Sequence, residues 1–166
     1  MATLSSTGIT LHIQDPGGSY REASDEEVIA TARTALNRRF RRGRALTSPE
    51  DSSDFLKIRL SALEHEVFAV LWLDNRHRII AFEELFRGTI DGASVHPREV
   101  VKAALGHNAA ACIVAHNHPS GICEPSRADQ SITARLKDAL SLIDVRVLDH
   151  IIVGEGTTSF AQAGLL

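Results

Sequence analysis

Cysteine is nearly absent: Cys112 and Cys123 stand eleven residues apart, form no C-x-x-C pair and supply no disulfide framework, so they read as reduced thiols of a reducing compartment. No apolar run approaches the ~18 residues of a membrane span, and the N-terminus lacks a basic stretch leading into an apolar one. The expectation is therefore a soluble, cytoplasmic protein with no membrane partner. Internal repeats and low-complexity segments are also missing, which excludes solenoids and disordered arrays. Neither charge sign dominates: the formal net charge is -3, with Lys and Arg interspersed among Asp and Glu. That balance argues against a surface given over to nucleic acid.

What is present suits one core. A chain of 166 residues with 43% hydrophobic content can bury about 70% of its unfolded surface in a single domain. Alternation in Ile9-Thr10-Leu11-His12-Ile13 predicts a short strand, turned by Asp15-Pro16-Gly17-Gly18. Ser24-Asp25-Glu26-Glu27 is a capping box that opens a helix with Val28, Ile29, Ala32, Leu36 and Phe40 on one face and Gly43 as its stop. Arg38, Arg39, Arg41, Arg42 and Arg44 crowd the end of that helix. Cations are favoured there by the helix dipole, and no aromatic is arranged for stacking, so a solvated helix end is preferred over a weak nucleic-acid contact. Residues 1–45 are read as an N-terminal extension and 46–166 as the main domain.

Within the main domain, Ser48-Pro49-Glu50-Asp51 starts a second helix through Phe55, Leu56, Ile58 and Leu60. Glu66 to Leu73 is almost wholly apolar, as a strand covered on both faces should be, and Asp74 to Arg78 turns it into Ile79 to Phe86. Pro97 opens a third helix through Val100, Val101, Ala104 and Leu105. The strand Ala109 to Val114 follows, then a helix with Ile132, Leu136, Ala139, Leu140 and Ile143 apolar, a strand Val145 to Val153, and a short edge strand at Ser159-Phe160. The fold class is α/β: three layers with a mixed central sheet flanked by helices.

The chemistry gathers at His116-Asn117-His118-Pro119-Ser120-Gly121, followed by Ser126-Arg127-Ala128-Asp129. Two histidines one residue apart at a strand end present both rings on one side. Asp129, eleven residues after His118, adds an oxygen, and a set of two nitrogens and one oxygen suits zinc. Three protein ligands leave a fourth position for a water whose pKa zinc lowers to about 7. Ser126 has the place of a helix N-cap and Asp129 of its N3 partner, where the helix dipole favours the ionised carboxylate. A water attacking a carbonyl also needs a base, for which Glu64, Glu66, Glu83, Glu84 and Glu99 are available. His150, beside Asp149, could orient a metal ligand from behind but is read as a satisfied core histidine, and His12, His65, His77, His96 and His107 have no partner spacing.

His-x-His-Pro with Ser-x-x-Asp at this distance resembles the JAMM motif of the MPN zinc metalloprotease family. The words Ala115 to Gly121, Glu124-Pro125-Ser126 and Leu148-Asp149-His150-Ile151-Ile152-Val153-Gly154 resemble its RadC branch, from about Leu63 to Leu166. The length resembles the short, stand-alone RadC-like proteins. The resemblance implies an MPN, cytidine-deaminase-like fold and one catalytic zinc held by His116, His118 and Asp129. It also implies Glu66 as the base, Ser126 as donor to the oxyanion, and a peptide or isopeptide bond in a protein substrate. The alternative it carries is a DNA-repair or mobile-element role on or near DNA. Other zinc chemistries fit less well: a deaminase needs H-x-E with P-C-x-x-C, and a metallo-β-lactamase-type site needs Asp where Ser120 stands.

Overall fold

The computed structural model describes residues 10–39, 45–46, 48–88 and 94–166, and the chain divides into the units Met1–Arg38 and Arg39–Leu166. In the first unit β1 (His12–Gln14) pairs antiparallel with β2 (Tyr20–Glu22). Gly18, at φ +83°, closes the turn between them. The sequence reading placed a strand at 9–13 and none at Tyr20-Arg21-Glu22, whose side chains are all exposed and give no alternation to detect. Helix α1 (Asp25–Arg39) begins with the expected capping box, Ser24 and Glu27 exchanging bonds of 3.0 and 3.3 Å. Arg21 grips the Glu27 carboxylate with both guanidinium nitrogens at 2.7 and 2.8 Å, which ties β2 to the helix start. Ile29 is 46% exposed rather than turned inward. Of the arginine cluster Arg38 is exposed, and Arg41, Arg42, Arg44, with Phe40 and Gly43, lie outside the described residues.

The second unit opens with α2 (Pro49–Leu60), capped by Ser48 and burying Phe55, Leu56 and Leu60. Next come β3 (Val67–Leu73), buried throughout, and β4 (Ile79–Arg87), joined by a turn in which Asp74 accepts the amides of Arg76 and Arg78. Then follow α3 (Pro97–Gly106), β5 (Ala111–Asn117), α4 (Arg127–Ser141), β6 (Arg146–Val153), β7 (Thr157–Ser159) and the short α5 (Phe160–Ala163). The sheet order is β4-β3-β5-β6-β7, with β5–β6 parallel and the other neighbours antiparallel, so the sheet is mixed. Phe68, Val70 and Trp72 of β3 and Cys112 and Val114 of β5 pack with Val100 and Ala104 of α3 and Leu136 and Leu140 of α4. Alternation turns the odd-numbered residues of those strands to the opposite face, where α2 and α5 meet β5 and β6. The result is the expected three-layer α/β arrangement.

Three local expectations shift. β5 runs to Asn117, three residues beyond the expected Val114, because the ladders to β3 and β6 continue through His116 and Asn117. Leu105 is 61% exposed at the end of α3. The last strand stops at Ser159, whose hydroxyl caps α5, so Phe160 begins a helix instead. Among the described residues no helix is long and apolar enough to cross a membrane.

Candidate metal centre

Strand β5 and helix α4 bring the sequence-predicted residues together. His116 is the penultimate residue of β5 and 2% exposed; His118 lies one residue past the strand, on the same face. Their Nε2 atoms are 2.9 Å apart, well inside the span of two nitrogens each ~2.0–2.1 Å from one zinc ion. Asp129 sits in the first turn of α4, with Oδ1 3.2 Å from His116 Nε2 and Oδ2 4.0 Å from His118 Nε2. One ligand atom from each residue lies within 4.8 Å of the others.

The helix start sets the aspartate. Ser126 Oγ accepts the Asp129 amide at 3.1 Å, and Asp129 Oδ2 accepts the Ser126 amide at 2.7 Å, the reciprocal pair read from the sequence. Burial raises the Asp129 pKa, but the bonds with His116 and Ser126 outweigh it and hold the carboxyl well below the usual range. Asp129 is therefore an anion.

Hydrogen-bond chemistry tests whether these residues fit a cation. His118 Nδ1 lies 2.6 Å from the carbonyl of Ile122, which can only accept, so Nδ1 carries the proton and Nε2 keeps its lone pair. That lone pair faces the second ring nitrogen at 2.9 Å and an anionic carboxylate. Electron-rich atoms this close need positive charge between them, supplied by a proton or a metal ion. The donor set suits a metal.

The loop that carries His118 is held by close approach. The His118 amide donates to Val153 O at 2.8 Å, and the Glu155 amide to Gly121 O at 2.8 Å. A Cβ on Gly154 would lie 2.2 Å from Gly121 O, so only glycine fits under the loop. Cys123, within the same loop, is free, as is the buried Cys112.

Glu66 and Ser126 line the same cavity as the three ligand-type residues, a hollow of about 610 Å³ whose wall also includes Phe68, His96, Ile132 and Arg135. The other candidate carboxylates do not line that cavity. Glu64 lines a different hollow, which His118 also borders, Glu83 bonds Trp72 Nε1 and His107 Nε2 at 3.1 and 2.9 Å, Glu84 is exposed, and Glu99 pairs with Lys102 at 2.8 Å.

One contributor escapes the sequence reading, and a second is weighed there as a ligand-orienting ring but held to be a core residue. Asn117, on the face opposite the histidines, accepts the Val67 amide at 2.8 Å and donates to the carbonyls of His65 and Leu63 at 3.0 and 3.3 Å. It grips the backbone on both sides of Glu66; period-2 alternation was the one signal that could have turned it toward that segment. His150 is fully buried, as read, yet its Nε2 is 2.8 Å from His116 Nδ1. Burial pushes its pKa down to about 3, with help from His116, so the ring is neutral. Asp149 serves the other side of β6: it accepts from Ser159 Oγ at 2.5 Å and from the amides of His150 and Ala161 at 2.7 and 3.0 Å.

Comparison with known proteins bears on the family and the fold. Residues 46–165 match the family model described as a RadC-like JAB domain. A UPF0758 protein of Thioalkalivibrio sulfidiphilus is 62% identical over 149 residues, covering 90% of this chain and 67% of the relative. One from Nitrosococcus oceani is 66% identical over 142 residues, covering 85% and 63%. One from Vibrio cholerae is 56% identical over 146 residues, covering 88% and 92%. The chain thus spans about two thirds of the length of the first two relatives and nearly all of the third. With a matching family model over the whole second unit from residue 46 and relatives above half identity, the chain belongs to the RadC-like JAB branch of the MPN domain family.

Proposed function

We propose that this chain is a zinc-dependent hydrolase of amide bonds, acting on a peptide or isopeptide linkage of a protein substrate. The observation that carries the reading is the convergence of His116 Nε2, His118 Nε2 and a carboxylate oxygen of Asp129 within 4.8 Å, in a cavity that Glu66 and Ser126 also line. His116, His118 and Asp129 would hold a zinc ion, which would supply a water of pKa about 7 and a Lewis acid for the carbonyl. Glu66 takes the proton of the attacking water and returns it to the leaving amine. The Ser126 Oγ already accepts the Asp129 amide, which leaves its hydroxyl hydrogen to donate to the carbonyl oxygen as negative charge develops there. Ile132 and Phe68 give the cavity an apolar wall, which strengthens charge interactions by excluding water.

The test is metal analysis of the purified protein, followed by assay against peptide, isopeptide-linked and DNA substrates with and without a chelator. Zinc near one ion per chain and chelator-sensitive amide cleavage are expected. Cleavage of DNA alone, or amide cleavage indifferent to zinc removal, would overturn the reading in favour of the DNA-associated alternative.

A further inference from the structure

We infer that His150 and Thr133 are positioning residues for the metal centre: together they fix which nitrogen of His116 offers its lone pair, and they tie that ring to the backbone of Asp129. The inference rests on the metal reading above, but its observations are separate. Behind His116, on the side away from His118, His150 Nε2 stands 2.8 Å from His116 Nδ1. The far nitrogen of His150, Nδ1, stands 2.5 Å from Thr133 Oγ1, and that hydroxyl donates to the Asp129 carbonyl at 2.5 Å. All three groups are buried, His150 at 0%, Thr133 at 2% and His116 at 2% exposure.

The direction of every proton in this row follows from its end. A backbone carbonyl cannot donate, so the single hydroxyl hydrogen of Thr133 goes to Asp129 O. Thr133 can then only accept from His150, which puts the His150 proton on Nδ1 and the lone pair on Nε2. His150 can then only accept from His116, which puts the His116 proton on Nδ1. The Nε2 of His116 is left with its lone pair aimed at His118 and Asp129. Phe68 lies nearly parallel to the His116 ring, 13° between planes with centroids 6.4 Å apart, and Phe160 lies against the His150 ring at 4.7 Å.

The row also closes on itself. Its first member is one ligand-type residue and its last is the backbone of another, so β5, β6 and α4 are locked in the mutual placement that a bound ion requires. Such partners of metal-binding histidines typically change affinity 10–100-fold when removed.

The test is zinc affinity by competition with a chromophoric chelator, for wild type, Thr133→Val, Thr133→Ser and His150→Leu, each checked by thermal melting without metal. Thr133→Val keeps shape and removes the hydroxyl, and should weaken zinc binding about 10–100-fold, as should His150→Leu. Thr133→Ser restores the hydroxyl and should recover most of the affinity. Nitrogen-15 spectra of the zinc-free wild type should show His116 protonated at Nδ1, and Thr133→Val should lose that preference. Folded Thr133→Val and His150→Leu with wild-type affinity would overturn the inference, as would a zinc-free wild type whose His116 carries no proton at Nδ1. A wild type that binds no zinc would instead sink the metal reading, and the His116 spectrum would still decide the positioning role.

Discussion

The side-chain oxygen of Asn117 accepts the backbone amide of Val67 at 2.8 Å across fifty residues of sequence. The β3–β5 ladder ends at the pair Phe68 and His116, so the Asn117 carboxamide continues the ladder by one step in place of the backbone. Glu66 lies between the two groups it grips, His65 O and Val67 N. Asn117→Ala leaves a buried amide without an acceptor, which costs about 1–3 kcal/mol. A lower urea midpoint, fast hydrogen exchange at Val67 and reduced turnover are expected, with zinc content unchanged because Asn117 points away from the histidines. Slow exchange at Val67 in the variant would show that the clamp is not what holds the strand start.

Asp129 combines a cap and a ligand position, and the two can be separated. Asp129→Asn keeps an oxygen for the Ser126 amide, now bound at 2.7 Å, but loses the charge. Zinc per chain should fall sharply while the melting temperature of the metal-free protein stays close to wild type, since the cap as a whole contributes only about 1 kcal/mol. Asp129→Ala should lower both. Full zinc occupancy in Asp129→Asn would remove this residue from the ligand set.

Glu66→Gln retains shape but cannot take a proton, so turnover should fall by about 10²–10⁴ with zinc content intact. Glu64→Gln and Glu99→Gln should behave as wild type, because Glu64 lines another hollow and Glu99 is paired with Lys102. An active Glu66→Gln beside a dead Glu64→Gln would move the base, and full activity in all three would end the carboxylate-base mechanism.

The N-terminal unit carries its own pH signature. The bonds from Arg21, and then the Ser24 amide, lower the Glu27 pKa from an ordinary 4.5 to about 2. A folded pKa below the unfolded one means a contribution fully present above pH ~4.5 and lost as pH falls toward ~2. Carboxyl NMR should place the Glu27 midpoint near the lower value in wild type and clearly higher in Arg21→Gln, where the Ser24 amide alone still holds it below the ordinary value. An unchanged midpoint would show that the Arg21 grip does not persist in solution.

The parts of this molecule that were legible in the sequence are those where side-chain type and spacing coincide. His-x-His at a strand end, Ser-x-x-Asp at a helix start and the apolar run of β3 each announce their local geometry. What was not legible depends on ladders and packing from distant segments. Ala115-His116-Asn117 has little strand character of its own and is extended because β3 and β6 flank it. Tyr20-Arg21-Glu22 pairs only because β1 is beside it. Thr133 reads as a polar residue on a helix, and its burial follows from β6 lying against α4, which no pattern within the helix reveals. Asn117 shows the same limit: its partners are set by where α2 ends, not by the motif that contains it.

The parallel pairing of β5 with β6 through α4 has a consequence for the order in which the site assembles. His116 and His118 are neighbours in any conformation of the chain, but Asp129 and the orienting His150 reach them only once the crossover has folded. On the proposed metal reading, the unfolded chain would keep a weak two-histidine grip on zinc, while the complete grip would belong to the native state. Added zinc should raise the melting temperature steeply at first and then less than mass action on the folded state alone would give, because at high concentration the ion also rewards the unfolded chain.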